Sequence, residues 1–229
     1  NRLHKEWKPK TETGLLSYHN EFQNIDMSKG KWLVLARTRH MLNDLENVLY
    51  ANGMYYRNKF KKAYEKDLYE AVMDWESLRK GKELNGEQVK RIASYMKPDQ
   101  FSRKRIKEFI SDNLYTIGEL KLKYGLNTDA VWFESFTAAP EKQVHYIRKM
   151  RKNGEELNQE PRILLSTIHG VKGGEADNVV LLTDLSKNTQ SNYERYPDDE
   201  NRLFYVGATR TKNHLHIVRP KDIYKSYRI

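Results

Sequence analysis

The chain of 229 residues contains no cysteine, so disulfides and thiolate metal sites are excluded. No apolar run approaches the ~20 residues that a membrane-spanning helix requires. The polar N-terminus, NRLHKEWKPK, lacks the apolar core of a signal peptide. We therefore expect a cytoplasmic protein that has no membrane partner. Because the sequence starts without Met, we also expect it to be a fragment or a processed chain.

The phosphate-binding motif G-x-x-x-x-G-K-[ST] is also absent. Gly-Lys pairs occur at Gly30-Lys31 and Gly81-Lys82, but neither has the required spacing or the following hydroxyl. Val179–Asp184 resembles a Walker B strand, yet it lacks the paired acids. If the chain serves an NTPase, its phosphate cradle and Mg²⁺ ligands must lie on another segment.

Positive charge is in excess, with a net charge of +10 and a pI of about 9.5. A basic balance favours a polyanionic partner but does not identify one. The basic stretch Arg103–Lys107 is interpreted as a solvated helix face, with a duplex-DNA contact as the alternative. His214 and His216 alternate on a predicted strand, but no third ligand is in view, so we predict no metal site.

The first part of the chain has an α/β pattern. A short strand is predicted at Gly14–His19 and a stronger one at Trp32–Ala36. A helical pattern from Met41 to Tyr50 ends at Asn52-Gly53, and Met54–Tyr56 is predicted to be a strand. The succession of strand, helix and strand predicts a parallel sheet.

From Lys59 to Glu160 the chain is highly charged, and its apolar residues recur at helical spacing. This pattern predicts an all-helical insertion. The predicted helices contain, in turn, Leu68, Val72, Trp75 and Leu78; Val89, Ile92, Ala93 and Met96; Ile106, Phe109 and Ile110; a segment from Asp129 capped by Thr128; and Glu141–Lys152.

The α/β pattern returns at Arg162. The predicted elements are a strand at 162–166, a strand at 178–183, a polar loop at 186–197, a helix at 198–211 and a strand at 214–218. Ser166–Glu175 forms a loop after the first of these strands and contains small hydroxyls, a His, a Lys and three glycines. Ligands of open α/β sheets bind at the carboxyl ends of strands, and these residue types suit phosphate.

Two long stretches resemble motifs V and VI of the superfamily 1 DNA helicases, in the UvrD/Rep/PcrA branch. Thr167–Ala176 reads TIHGVKGGEA, where the family has T-x-H-x-x-K-G-L-E-F. Glu200–Arg210 reads ENRLFYVGATR, where the family has E-R-R-L-x-Y-V-x-x-T-R. Three residues depart from the pattern, namely Gly174, Ala176 and Asn201.

The resemblance implies a RecA-like parallel sheet, a P-loop NTPase fold without the P-loop itself, interrupted by the helical insertion. Residues 1–58 and 161–229 would form motor domain 2A, and residues 59–160 a small 2B subdomain. The chain would then be the C-terminal half of an ATP-dependent DNA helicase or translocase with 3′ to 5′ polarity, inactive alone. The expected cofactor is ATP with Mg²⁺, whose ligands lie on the N-terminal motor domain of the same protein. The other expected partners are single-stranded DNA and a duplex junction, and the protein would be monomeric, of bacterial or phage origin, and active in repair or replication.

The resemblance also implies roles for individual residues. Arg210 would be the arginine finger on the γ-phosphate, Glu175 would bind the ribose, and Gly173 would belong to the ATP site. A surface Arg that complements the helix dipole is the alternative for Arg210. Arg202 and Tyr205 would couple or brace the motifs, Arg202 through Glu200 or Asp184; for Tyr205, core packing is the alternative.

Six residues are predicted to bind DNA, some from the resemblance and some from their position after a strand: Ser166, Thr167, His169, Lys172, Arg37 and Arg39. For His169, a buried core histidine is an equal alternative. For Arg37 and Arg39, the equal alternative is a position in a solvated loop. Lys172 has a structural ion pair as its alternative. Two rival functions remain: a non-enzymatic DNA-binding module with a decayed helicase fold, and a protein-interaction domain.

Overall fold

The computed structural model describes residues 13–60, 66–155, 159–171 and 173–228, with the side chain of Arg103 excepted. The strands are β1 (Leu15–His19), β2 (Trp32–Ala36), β3 (Tyr56–Asn58), β4 (Ile163–Thr167), β5 (Ala176–Leu182) and β6 (Thr211–Val218). The helices are α1 (Leu42–Ala51), α2 (Lys66–Arg79), α3 (Gly86–Ser94), α4 (Ile117–Tyr124), α5 (Trp132–Ser135), α6 (Glu141–Lys152), α7 (Lys187–Arg195) and α8 (Pro197–Ala208).

The chain divides into two compact units. The first lies within Asn1–Ala63 and Asn153–Ile229, and the second is Tyr64–Lys152. The second unit falls inside the range 59–160 that the sequence assigns to an insertion. No helix in the described ranges is both long enough and apolar enough to cross a membrane.

The first unit is built on one sheet in which every pairing is parallel. The strand order is β1-β6-β5-β2-β4-β3. All five residues of β2 are buried, as expected for a central strand covered on both faces. This all-parallel sheet with its helices confirms the predicted RecA-like α/β class.

Helix α8 packs on one face of the sheet. Phe204 of α8 lies in an apolar cluster with Leu35, Ile168 and Leu181, and it stacks on Tyr227 at 3.9 Å between ring centroids. The helix begins with Pro197 at its first position and has three acidic residues in its first turn. Proline fits there because the first N–H has no helical partner, and acids complement the helix dipole.

The second unit is mainly helical. Trp75 of α2 is fully buried, and its indole N–H donates to the carbonyl of Ala130 at 3.0 Å. Helix α3 begins at a capping box, in which Asn85 and Gln88 each accept the other's backbone N–H. Two isolated antiparallel bridges, Leu84 with Tyr115 and Phe101 with Leu126, tie the loops together.

Three predictions of secondary structure are wrong, and one helix, α4, was not predicted. The polar loop at 186–197 contains helix α7, which starts at a capping box between Ser186 and Thr189. The predicted helix around Ile106 is a 3₁₀ turn, because Phe109 turns into an aromatic cluster with Tyr115. The third error concerns Thr128, which does not cap a helix: its hydroxyl accepts the N–H of Ala130 at 3.2 Å, and α5 begins only at Trp132.

Candidate functional site

The connection from β4 to β5 runs from the carboxyl ends of the strands back to their amino ends. Ile168 extends β4 by donating its N–H to the carbonyl of Ala36 at 3.0 Å, at the carboxyl edge. Ala176 begins β5 at the opposite, amino edge, about six strand residues or roughly 20 Å away. The single ligand loop that the sequence predicts at Ser166–Glu175 is therefore divided between two edges. Lys172 lies in this connection but outside the described residues.

At the carboxyl edge, basic and aromatic side chains meet the start of this connection. We call this set the carboxyl-edge cluster, and its members are Arg39, Lys59, Phe60, His169 and Gly170. The Arg39 guanidinium lies over the Phe60 ring, 4.1 Å from its centroid. The Lys59 ammonium donates to the Gly170 carbonyl. Arg39, Lys59 and His169 are exposed.

Gly170 is required by close approach. A Cβ atom there would lie 2.8 Å from Ser166 Oγ and 3.1 Å from Phe60 Cζ. Both distances are shorter than ordinary van der Waals contact, so the turn is packed against its neighbours with no room for a side chain.

Two predicted DNA contacts lie beneath the surface. Ser166 is fully buried, and its hydroxyl has no hydrogen-bond partner among the described residues. A direct DNA contact by Ser166 does not fit this position. Thr167 is 8% exposed, and its hydroxyl accepts the N–H of Gly170 at 3.1 Å. Thr167 thus shapes the turn. His169 is exposed, so its alternative as a buried core histidine is wrong.

Arg37 is held in a buried ion pair. Its Nε donates to Glu200 Oε2 at 2.8 Å, and its Nη2 donates to Glu200 Oε1 at 2.7 Å. The exposed fractions of the two side chains are 16% and 5%. The solvated-loop alternative for Arg37 is therefore wrong, and the pair ties the carboxyl end of β2 to the first turn of α8.

The predicted brace from Arg202 is wrong. Arg202 is exposed, and it approaches Asp199 at 3.5 Å, since Glu200 is taken by Arg37. Asp184, the other candidate partner, accepts the N–H of Lys221 at 2.9 Å. The nonconforming Asn201 is buried, and its side-chain oxygen accepts the Tyr227 hydroxyl at 3.0 Å. Motif VI is therefore braced by neighbours of Arg202.

A second group lies at the amino edge, where β5 and β6 begin. We call Gly173, Glu175 and Arg210 the amino-edge cluster. The N–H of Ala176 donates to the Arg210 carbonyl at 3.1 Å, so the Glu175 and Arg210 segments are adjacent. Gly173 has a φ of 84°, which a glycine adopts without strain. Glu175 is exposed.

Arg210 lies beyond the end of α8, because the helix stops at Ala208 rather than at residue 211 as predicted. Its Nε donates to the Val206 carbonyl at 3.0 Å, and its Nη2 donates to Thr209 Oγ1 at 3.2 Å. The guanidinium thus complements the carboxyl end of the helix, as its alternative interpretation predicts. The side chain is partly exposed.

Helix α8 contacts the crossing connection directly. A Cβ atom on Gly207 would lie 3.2 Å from Leu181 Cδ1 and 3.3 Å from Ile168 Cγ2. The helix backbone therefore sits close to the first residue of the connection. Tyr205, one turn away from Arg202, is half-buried.

Three histidines stack on the β1–β6 side of the sheet, and sequence reasoning missed the third. His19 Nε2 lies 3.0 Å from His216 Nδ1, and the rings of His214 and His216 stack at 3.8 Å. The sequence does not show that His19 lies near His214 and His216, because the three residues meet only when β1 pairs with β6. Burial, followed by the charges of His214 and His19, lowers the pKa of His216 to about 4.

This trio does not form a metal centre. Across the described ranges, no group of three or more His, Asp or Glu residues is arranged to hold a metal ion. Lys59 and Phe60 were also missed as site residues. They directly follow β3, but the predicted strand, Met54–Tyr56, ends two residues earlier than β3, so the sequence did not place them at a strand end.

A protein-family model matches most of the chain. The model of the UvrD-like helicase C-terminal domain matches residues 54–221, well over half of the chain. No curated protein matches the chain. The match includes both motifs, the whole of the second unit and the strands β3 to β6. The chain therefore belongs to the UvrD-like helicase C-terminal domain family.

Proposed function

We propose that this chain is the C-terminal motor half of an ATP-dependent DNA helicase or translocase that moves 3′ to 5′. The observation that carries the proposal is the separation of two clusters at opposite edges of one sheet, joined by the connection 168–175 and by α8. One edge suits a nucleic-acid strand and the other suits a nucleotide. A motor must link these two ligands.

The carboxyl-edge cluster would bind the DNA strand. Arg39, Lys59 and His169 are exposed and suit phosphate oxygens, whereas Phe60 offers a ring for a base. Thr167 would shape the loop that carries these contacts. Lys172 remains a predicted contact within this proposal.

Arg37 is assigned a different role in the proposal. Its guanidinium is engaged by Glu200, so we propose that it positions motif VI relative to β2. A direct phosphate contact would require that ion pair to open, at the cost of leaving Glu200 buried and unpaired.

The amino-edge cluster would complete the ATP site of the N-terminal motor domain. Glu175 would accept hydrogen bonds from the ribose, and Gly173 would let the backbone approach the nucleotide. Arg210 would exchange its contact with the Val206 carbonyl for the γ-phosphate, where it would stabilise transition-state charge. Mg²⁺ would be held by the N-terminal domain, which would also supply the P-loop.

Coupling would run along the crossing connection. Gly207 packs against Ile168, so a shift of α8 on ATP binding would press on the start of the DNA loop. Tyr205 and Arg202 lie on the same helix and would move with it, which is the coupling role proposed for them. In this proposal the first unit is domain 2A, the second is a small 2B subdomain, and the protein acts as a monomer at a duplex junction in repair or replication.

Unwinding by the full natural protein tests the proposal. With ATP and Mg²⁺, it should separate a duplex that carries a 3′ single-stranded tail, and it should fail when ATP is withheld. Unwinding from a 5′ tail alone would contradict the polarity. ATP-independent DNA binding without unwinding would favour the decayed binding module instead. The purified chain alone should hydrolyse no ATP, and turnover by it would contradict the division of the active site.

A further inference from the structure

A cleft in the second unit combines basic and aromatic side chains. Its volume is about 580 Å³, within the usual range of ligand clefts. Its lining residues come from α5 and α6 and are Trp132, Phe133, His145, Arg148, Lys149, Arg151 and Lys152. None of the lining residues that the structure describes is acidic, so the cleft suits an anionic ligand.

Helix α6 presents two different faces. Tyr146, Ile147 and Met150 are buried against the unit. His145, Arg148, Lys149 and Lys152 follow the spacing i, i+3, i+4, i+7 on the other face and are exposed. Cations near a helix carboxyl end complement its dipole, but that effect falls off within the last turn. The dipole effect therefore does not extend to His145 and Arg148, which lie further from the end of the helix.

The floor of the cleft is aromatic. The Phe133 ring meets Trp132 edge-on, with centroids 5.7 Å apart and an interplanar angle of 85°. The Arg148 guanidinium lies over Phe133, 4.1 Å from the ring centroid. The Phe133 ring and the Arg148 guanidinium together offer a flat surface that carries positive charge and suits a planar group.

We propose that this cleft binds single-stranded nucleic acid, with phosphates on the α6 cations and a base on the Phe133–Arg148 pair. Bases stack on aromatic rings and on guanidinium planes, and cations in a groove follow the backbone. A duplex would offer the cations its phosphates, but its base faces are already stacked on one another. The aromatic floor therefore favours a single strand. This contact is separate from the carboxyl-edge cluster and requires no ATP.

Binding by the whole chain to labelled oligo-dT and to a duplex of equal length tests the proposal. Phe133→Leu keeps an apolar side chain but removes the ring, and it should weaken oligo-dT binding by about tenfold. It should leave duplex binding unchanged. Arg148→Glu combined with Arg151→Glu should also weaken oligo-dT binding and lower the salt slope by about 1.4.

The matched control is Lys82→Glu combined with Lys97→Glu, which changes the charge equally at two exposed residues that do not line the cleft. A strand that carries 5-iodouracil should crosslink to Phe133 or Trp132 on irradiation. Equal losses in the cleft and control variants, or crosslinks confined to the first unit, would overturn the proposal. A loss of duplex binding alone would also overturn it.

Discussion

Arg37 and Glu200 form a two-pronged ion pair that joins the carboxyl end of β2 to the first turn of α8. The residues are 163 positions apart in the sequence, and both side chains are largely removed from water. Bidentate pairing satisfies both carboxylate oxygens and fixes the orientation of the helix. The pair therefore sets where motif VI lies relative to the sheet.

Glu200→Ala should destabilise the fold by about 3–5 kcal/mol, because it leaves Arg37 buried without a counter-charge. Arg202→Ala is the matched control on the same helix. Its exposed pair with Asp199 at 3.5 Å should contribute at most about 0.5 kcal/mol. Urea unfolding of both variants measures the difference. Equal midpoints would show that the Arg37 pair adds nothing to stability.

Gly170→Ala should destabilise the chain by about 1–3 kcal/mol, because the new methyl group would overlap Ser166 Oγ and press on Phe60. It should also weaken binding to single-stranded DNA, since Phe60 would have to move. Gly118→Ala in α4 is the control, because no atom outside its own stretch of helix backbone lies within 4 Å of its Cβ position. It should stabilise by up to about 1 kcal/mol. Identical effects of the two substitutions would contradict the close packing of the motif V turn.

Acid should destabilise the chain through His216. The folded protein holds the pKa of His216 at about 4, mainly by burial, against an ordinary value of 6.5. Between these values the unfolded state binds a proton that the folded state does not, so stability falls as pH falls from about 6.5 to 4. The groups that face His216 are His19 and His214, and burial lowers the pKa of His19 as well.

Denaturant midpoints measured from pH 7 to pH 4.5 test this pH dependence. His216→Gln cannot take up the proton, so its stability should change less with pH than that of the wild type. His145→Gln, at an exposed histidine, should keep the wild-type slope. A His216→Gln slope equal to the wild type would mean that other groups cause the acid sensitivity.

Arg39→Ala and Phe60→Leu should each weaken binding of single-stranded DNA. Removal of the Arg39 phosphate contact should lower the salt slope by about 0.7, and loss of the Phe60 ring should cost about 1–3 kcal/mol. Fluorescence anisotropy over a series of salt concentrations gives both quantities. Arg195→Ala, at an exposed cation in the last turn of α7, should change neither. If the three variants bind alike, the carboxyl edge is not the strand site.

The sequence predicted the elements that have strong apolar patterns. Strand β2 and helix α6 have the predicted bounds, since one is an apolar run and the other has a clear buried face. Helix α7 was missed because Thr189 is its one buried residue, so no apolar periodicity marks it. Its start depends on the capping box in which Ser186, the N-cap residue, and Thr189 each accept the other's backbone N–H, a local signal that the apolar pattern does not contain.

The site required topology as well as motifs. Ser166 and Glu175 are nine positions apart and looked like parts of one loop, but parallel pairing of β4 and β5 through β2 puts them at opposite edges. The contacts of Arg37 with Glu200 and of Lys59 with Gly170 join distant segments. Such contacts depend on strand order, which no single motif specifies.

ATP hydrolysis stimulated by single-stranded DNA, in the full natural protein and its Arg210→Ala variant, tests the central claim most directly. The account predicts a loss of at least about 10³-fold in the variant, with ATP binding retained and with Arg195→Ala unaffected. Equal rates in wild type and Arg210→Ala would contradict the arginine-finger role and, with it, the proposed helicase mechanism.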